Sequence, residues 1–210
     1  MREDYYRTLG RESEGMFKEK GSKFLAFAYP VQSVEDFQSR LSEIKKKYHD
    51  ARHHCYAYIL GEEGTDVRAN DDGEPGNSAG APILGQLRAE QVTNAAIVVV
   101  RYFGGTKLGV GGLIQAYKVA AGEALKNNTV IRVDILTYFT LDYAYEYTNI
   151  VLRLLSACKV VIKDQLYGDR CQAKVGVKES MKGHFVERLE ETVKSGIEIM
   201  YKELNELKVQ

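Results

Sequence analysis

Five glycines, at positions 104, 105, 109, 111 and 112, surround a single cation, Lys107, in the stretch Arg101-Tyr-Phe-Gly-Gly-Thr-Lys-Leu-Gly-Val-Gly-Gly-Leu113. The stretch follows an apolar β-branched run, Ile97 to Val100, and opens into the helical spacing of Leu113, Ala116, Ala120 and Ala124. A strand, a glycine loop and a helix start leave backbone N–H groups and the positive end of the helix dipole facing whatever docks there. That chemistry favours an anion. Arg101 and Lys107 are the expected side-chain contacts to phosphate, and Tyr102 is a ring able to stack on a base or ribose. Two phosphate motifs are excluded. Gly104 and Gly109 have P-loop spacing, but Val110 and Gly111 stand where Lys and Ser/Thr are required. Gly109-Val-Gly111 begins a dinucleotide fingerprint, but Ile114 replaces its last glycine. The bland alternative is that the glycines only permit a tight turn and close helix–strand packing.

A second group lies upstream. Asp71, Asp72 and Glu74 fall in the turn-rich segment Asn70-Asp-Asp-Gly-Glu-Pro-Gly-Asn-Ser-Ala-Gly-Ala-Pro-Ile-Leu84, close enough to bind a hard cation such as Mg²⁺, although EF-hand spacing is absent. Ser78 or Asn77 is the expected cap of a helix running to about Arg88. Beside the glycine loop, these carboxylates would face Arg101 and Lys107 in a mixed-charge cleft, with Arg52, His53, His54 and Ser78 as further lining candidates. His53, His54 and Cys55 are adjacent, yet strand alternation puts His54 on the face opposite the other two. With no second Cys/His pair at zinc spacing, a closed zinc site is not expected, and no metal is assigned.

The elements that must position these residues belong to an ordinary globular chain: 210 residues, 44% apolar, with 29 basic and 29 acidic side chains. Such balance excludes a basic nucleic-acid-binding domain and leaves only a local patch. Three cysteines without CxxC pairing suit a reducing compartment, and neither a signal sequence nor a membrane-spanning run is evident, so a cytoplasmic, membrane-free protein is expected.

In chain order, residues 1–13 read as a loose polar arm, and residues 14–20 and 22–31 as a hairpin turning at Gly21. Ser33 with Asp36 resembles a capping box, opening a helix with Phe37, Leu41, Ile44 and Tyr48 on one stripe. Lys45-Lys-Lys47 suits that helix's negative end. His53–Leu60 reads as a strand, Ile97–Val100 as a central strand covered on both faces, and residues 129–134 as the strand that closes a first domain, 1–134. Residues 135–210 form a second. Strands at 136–143, 159–167, 170–177 and 197–202 alternate with helices at 146–157 and 178–195, giving βαββαβ, the ferredoxin-like order. Cys158 and Cys171 read as core thiols and His184 as a solvated side chain.

Asp71-Asp-Gly-Glu-Pro75, Ala79-Gly-Ala-Pro-Ile-Leu84 and Val100–Leu113 with Ala116-Tyr117 resemble the motifs of the IMPACT family in its two-domain bacterial form, and Arg52-His-His-Cys-Tyr-Ala57 looks like a third block. The resemblance implies an α+β chain. It also implies an N-terminal domain folded like those of a small-subunit ribosomal protein, GHMP kinases and domain IV of elongation factor G, with a ferredoxin-like domain behind it. Gln115 stands where the family carries arginine, and Gly76-Asn-Ser78 where Ser-Gly-Thr is usual.

The expected function is a non-catalytic, translation-associated regulator that binds the ribosome or structured RNA through Arg101, Tyr102, Lys107 and the backbone of Gly104, Gly105, Gly109, Gly111 and Gly112. One alternative is an enzyme or binding protein for a small phosphorylated ligand, using Mg²⁺ on the carboxylates, with only Ser78, His53 and His54 as candidate nucleophile or base. Another is a module binding a protein partner in translation control. No catalytic residue is assigned.

Overall fold

The computed structural model describes residues 4–204 of the chain. It is an α+β protein that divides into two units, residues 6–133 and residues 134–204 with Asp4 and Tyr5.

Within the first unit, β1 (Tyr5–Leu9) pairs with a distant strand, while β2 (Ser13–Glu19) and β3 (Ser22–Pro30) form the expected hairpin at Gly21. The helix α1 (Val34–Lys47) follows, then β4 (His53–Leu60), β5 (Asp66–Asn70), α2 (Gly80–Ala89), β6 (Ala95–Tyr102), α3 (Gly109–Lys126) and β7 (Val130–Asp134). The main sheet is five-stranded and antiparallel, in the order β2-β3-β6-β4-β5. Its centre is β6, whose residues Ala95 to Val100 are all fully buried.

Alternation along β6 explains that burial. Ala95, Ile97 and Val99, with Phe24, Ala26, Cys55 and Ala57 of the neighbouring strands, pack under Ile83 and Leu87 of α2 and Leu113, Tyr117 and Ala120 of α3. Ala96, Val98 and Val100, with Phe27, Tyr56 and Tyr58, pack under Phe37, Leu41 and Ile44 of α1. The small residues of α3 let it lie directly on β2, where a Cβ at Gly15 would sit 2.2 Å from the Ala124 nitrogen. At the start of α1, Ser33 Oγ accepts the Asp36 N–H, and Asp36 Oδ2 accepts the Gln32 N–H.

Two sequence expectations fail here. The supposed loose arm contains β1, which pairs with β7; Gly10 N–H reaches Thr129 O at 2.7 Å, and Leu9 is buried. Its polar composition carried no sign of a partner over a hundred residues away, and residues 1–3 of the arm lie outside the described residues. The glycines do not all belong to a loop, because α3 begins at Gly109 and places Gly109, Gly111 and Gly112 in its first turn.

In the second unit, β8 (Leu136–Ala144), α4 (Thr148–Ala157), β9 (Val161–Leu166), β10 (Arg170–Lys178), α5 (Lys182–Lys194) and β11 (Ile199–Leu204) follow in the expected βαββαβ order. The antiparallel sheet runs β11-β8-β10-β9. One face carries Phe139, Leu141, Val175 and Val177 beneath Val151 and Leu155 of α4 and Phe185 and Leu189 of α5, with Cys158 and Cys171 buried among them. The last helix starts four residues later than expected, because β10 continues to Lys178 and a 3₁₀ turn, Glu179–Met181, precedes the helix.

Candidate functional site

The glycines between β6 and α3 serve different purposes. Gly104 is required by packing: a Cβ there would lie 1.9 Å from the Gly21 carbonyl carbon, and its N–H donates to Ser22 Oγ at 3.1 Å. Gly105 and Gly109 have φ of +85° and +71°, the left-handed region that glycine enters without strain. Gly111 has neither reason. It sits inside α3, its φ is not positive, and nothing lies within 4 Å of where its Cβ would be. Glycine at a helical position costs up to about 1 kcal/mol relative to alanine, and here the fold draws no packing return. The N-terminus of α3 also has no side-chain cap, its N-cap residue being Leu108. Lys107 is exposed beside it and forms no ion pair among the described residues.

Beneath this loop lies a buried polar network. Arg101, at the end of β6, is only 7% exposed, and its Nη1 is 2.6 Å from Glu74 Oε1. Tyr117 of α3 donates its hydroxyl to the same oxygen at 2.8 Å. The Cys55 thiol of β4 lies 3.3 Å from the Tyr117 oxygen and 3.0 Å from Asp71 O. Burial raises the pKa of the Tyr117 phenol and of the Cys55 thiol, and the Glu74 carboxylate acts in the same direction on both. Both shifts favour the protonated forms, which disfavours a Cys55 thiolate. Arg101, expected as a surface phosphate contact, is instead an internal cation neutralised by Glu74. Its Nε is buried and has no hydrogen-bond partner among the described residues.

The other carboxylates do not converge with Glu74. Asp71 Oδ1 accepts the N–H groups of Ala79 and Gly80 at 2.9 and 2.8 Å, and Oδ2 accepts that of Asn77 at 2.9 Å. Burial alone would raise the Asp71 pKa, but these backbone donors outweigh it and hold the carboxyl below the usual range. Asp71, rather than Ser78 or Asn77, therefore caps α2, and the helix terminus there is already occupied by the protein's own anion. Ser78 is buried and donates to Pro75 O at 2.6 Å, securing the turn. Asp72 Oδ2 accepts the His54 N–H at 2.7 Å, and its carbonyl accepts from His53 Nδ1 at 2.9 Å. His54 is buried with Nε2 3.1 Å from Tyr48 O; burial lowers its pKa, against the opposing pull of Tyr48 O and Asp72. Arg52 is exposed. Among the described residues no three His, Cys, Asp or Glu are grouped to hold a metal ion. The three carboxylates considered for Mg²⁺ are each engaged by different internal donors: Asp71 by the start of α2, Asp72 by β4 and Glu74 by Arg101 and Tyr117.

The aromatic expectation also changes. Alternation sends Tyr102 to the α1 side of the sheet, where its hydroxyl donates to Asp50 Oδ1 at 2.6 Å; that bond raises its pKa to about 12. The exposed ring is Phe103, at 57%, with the Arg101 guanidinium carbon 5.6 Å from its centroid. Period-two reading of Arg101, Tyr102 and Phe103 was the signal that separates them.

No helix among the described residues is long and apolar enough to cross a membrane. A family model described as the Impact N-terminal domain matches residues 20–125. The chain is 30% identical over 202 residues to the IMPACT family member YvyE of Bacillus subtilis, covering 96% of this chain and 93% of that protein. It is 36% identical over 149 residues to the IMPACT family member YigZ of Escherichia coli, covering 69% and 73%. The crystal structure of a hypothetical protein superposes with a TM-score of 0.67 at 28% identity, over 95% of this chain and 98% of that one. With the N-terminal model matched across half of the sequence and a full-length member matched across nearly all of it, the chain belongs to the IMPACT family.

Proposed function

We propose that this protein is a translation-associated regulator that holds RNA or the ribosome through the N-terminus of α3. Phosphate oxygens accept from the unengaged N–H groups of the first turn, and Lys107 supplies the charge. The observation that carries this reading is Gly111, a helical glycine that the fold does not need but a close-lying polyanion does. Arg101 serves indirectly, by fixing the end of β6 to Glu74 and, through Tyr117, to α3. The reading is consistent with a first unit of the kind shared by a small-subunit ribosomal protein, GHMP kinases and domain IV of elongation factor G, and with a ferredoxin-like second unit; a cytoplasmic setting follows from the same reading.

The test is co-sedimentation with ribosomes and filter binding to ribosomal RNA across a salt series, with Lys107→Ala in parallel. Affinity should fall linearly with salt on logarithmic axes, and the variant should lower that slope by about 1. Absence of binding at low salt, or a slope unchanged in the variant, would overturn the reading.

A further inference from the structure

We infer that Phe103 is a stacking platform for an unpaired RNA base, so that the site takes single-stranded or bulged RNA in preference to continuous duplex. The inference rests on the RNA reading above and names the form of RNA.

Two observations carry it. Phe103 is the residue that directly follows β6, with 57% of its surface exposed beside Gly104 and Gly105. Its ring is backed rather than free: the Arg101 guanidinium carbon lies 5.6 Å from the Phe103 centroid and 5.5 Å from that of buried Phe24. Glu74 holds that guanidinium at 2.6 Å. A ring fixed from behind loses little freedom when a second π-face lands on it, which is what a base-stacking residue requires.

Charge selects the partner. From Phe103 to Gly122 there is no acidic residue, while Lys107 and Lys118 are exposed. An exposed ring among uncompensated cations and open backbone donors matches a nucleotide, which joins a π-face to a phosphate, better than it matches an apolar protein surface. Duplex RNA buries its bases in the stack and offers only backbone and groove, so it leaves Phe103 without a ligand.

The chain contains no tryptophan, so Phe103→Trp introduces a unique tryptophan at the site, excited selectively above the tyrosine absorption band. Two probes of equal phosphate count are titrated: single-stranded oligoadenylate RNA and a blunt RNA duplex. The reporter should be quenched saturably by the single strand and left nearly unchanged by the duplex. Phe103→Ala, and also Phe103→Leu, which keeps the apolar surface but not the π-face, should weaken single-strand binding about tenfold or more and leave duplex binding within twofold. Melting curves matching the parent control for folding. Single-strand binding that keeps its Lys107 dependence but is indifferent to Phe103 overturns this inference alone, as does equal loss for both probes. Binding of neither probe, with Phe103 needed only to co-sediment with ribosomal protein, overturns it together with the RNA reading.

Discussion

Arg101 and Glu74 form a buried ion pair, 2.6 Å from Nη1 to Oε1, that joins the end of the central strand to the acidic loop 27 residues earlier. Because Tyr117 donates to the same carboxylate oxygen, one side chain ties the loop, the strand and the long helix together. The charges that looked like opposite walls of a cleft are the fastening beneath it. Each buried charge depends on the other, since removing one strands its partner in a low-dielectric interior.

Replacing Glu74 with Gln should therefore lower unfolding free energy by about 3 kcal/mol. Glu74→Gln/Arg101→Met keeps an acceptor for Tyr117 and removes the stranded cation, and should recover at least about 1 kcal/mol of that loss. Urea unfolding of the wild type, both single variants and the double variant measures the cycle. Strictly additive losses would show that the pair is not coupled.

Asp71 contributes through three backbone N–H bonds, two at the start of α2 and one from Asn77 in the loop before it. Asp71→Ala should cost about 2 kcal/mol at neutral pH, at the upper end for a helix cap. The folded carboxyl has a lowered pKa, so its stabilisation is complete above its ordinary value of 3.8 and disappears as pH falls through the folded value. Wild type and variant should differ by a constant amount from pH 7 to about 5 and converge in strong acid. A difference that widens in acid would contradict the assignment.

His54 titrates in a separate window. Its folded pKa lies below its ordinary value of 6.5, mainly because it is buried, so folding favours the neutral ring. The stabilisation is present above pH 6.5 and is lost as pH falls through the folded pKa. Wild-type stability should decline below pH 6.5, and His54→Gln should flatten that decline while lowering stability at pH 7.5. Denaturant midpoints taken every half unit of pH would reveal an unchanged slope if the assignment is wrong.

The same substitution at two glycines should have opposite effects. Gly104→Ala drives a methyl into the Gly21–Ser22 backbone and should destabilise strongly, by several degrees in Tm. Gly111→Ala meets nothing, restores helix propensity and should raise stability by up to about 1 kcal/mol, while weakening RNA binding. Thermal melts and filter binding on both variants check this. Gly111→Ala that binds as well as the parent would remove the reason given for that glycine.

The sequence by itself determined the local elements. The Ile97–Val100 run, the stripe of Phe37, Leu41 and Ile44, the turn at Gly21 and the βαββαβ order are all set by backbone periodicity and turn chemistry acting over a few residues. The glycine stretch was legible too, because its composition is visible without a partner. Tertiary structure decided the rest. Nothing local tells Arg101 that Glu74 will neutralise it, Asp71 that its carboxylate will close a helix nine residues on, or β1 that it will find β7. These pairings join segments whose separation in the chain carries no pattern, and they form only when the sheet brings its strands together. Composition showed where the glycines cluster, and packing determined which neighbouring side chains, such as Arg101, were buried and which, such as Phe103 and Lys107, were left exposed.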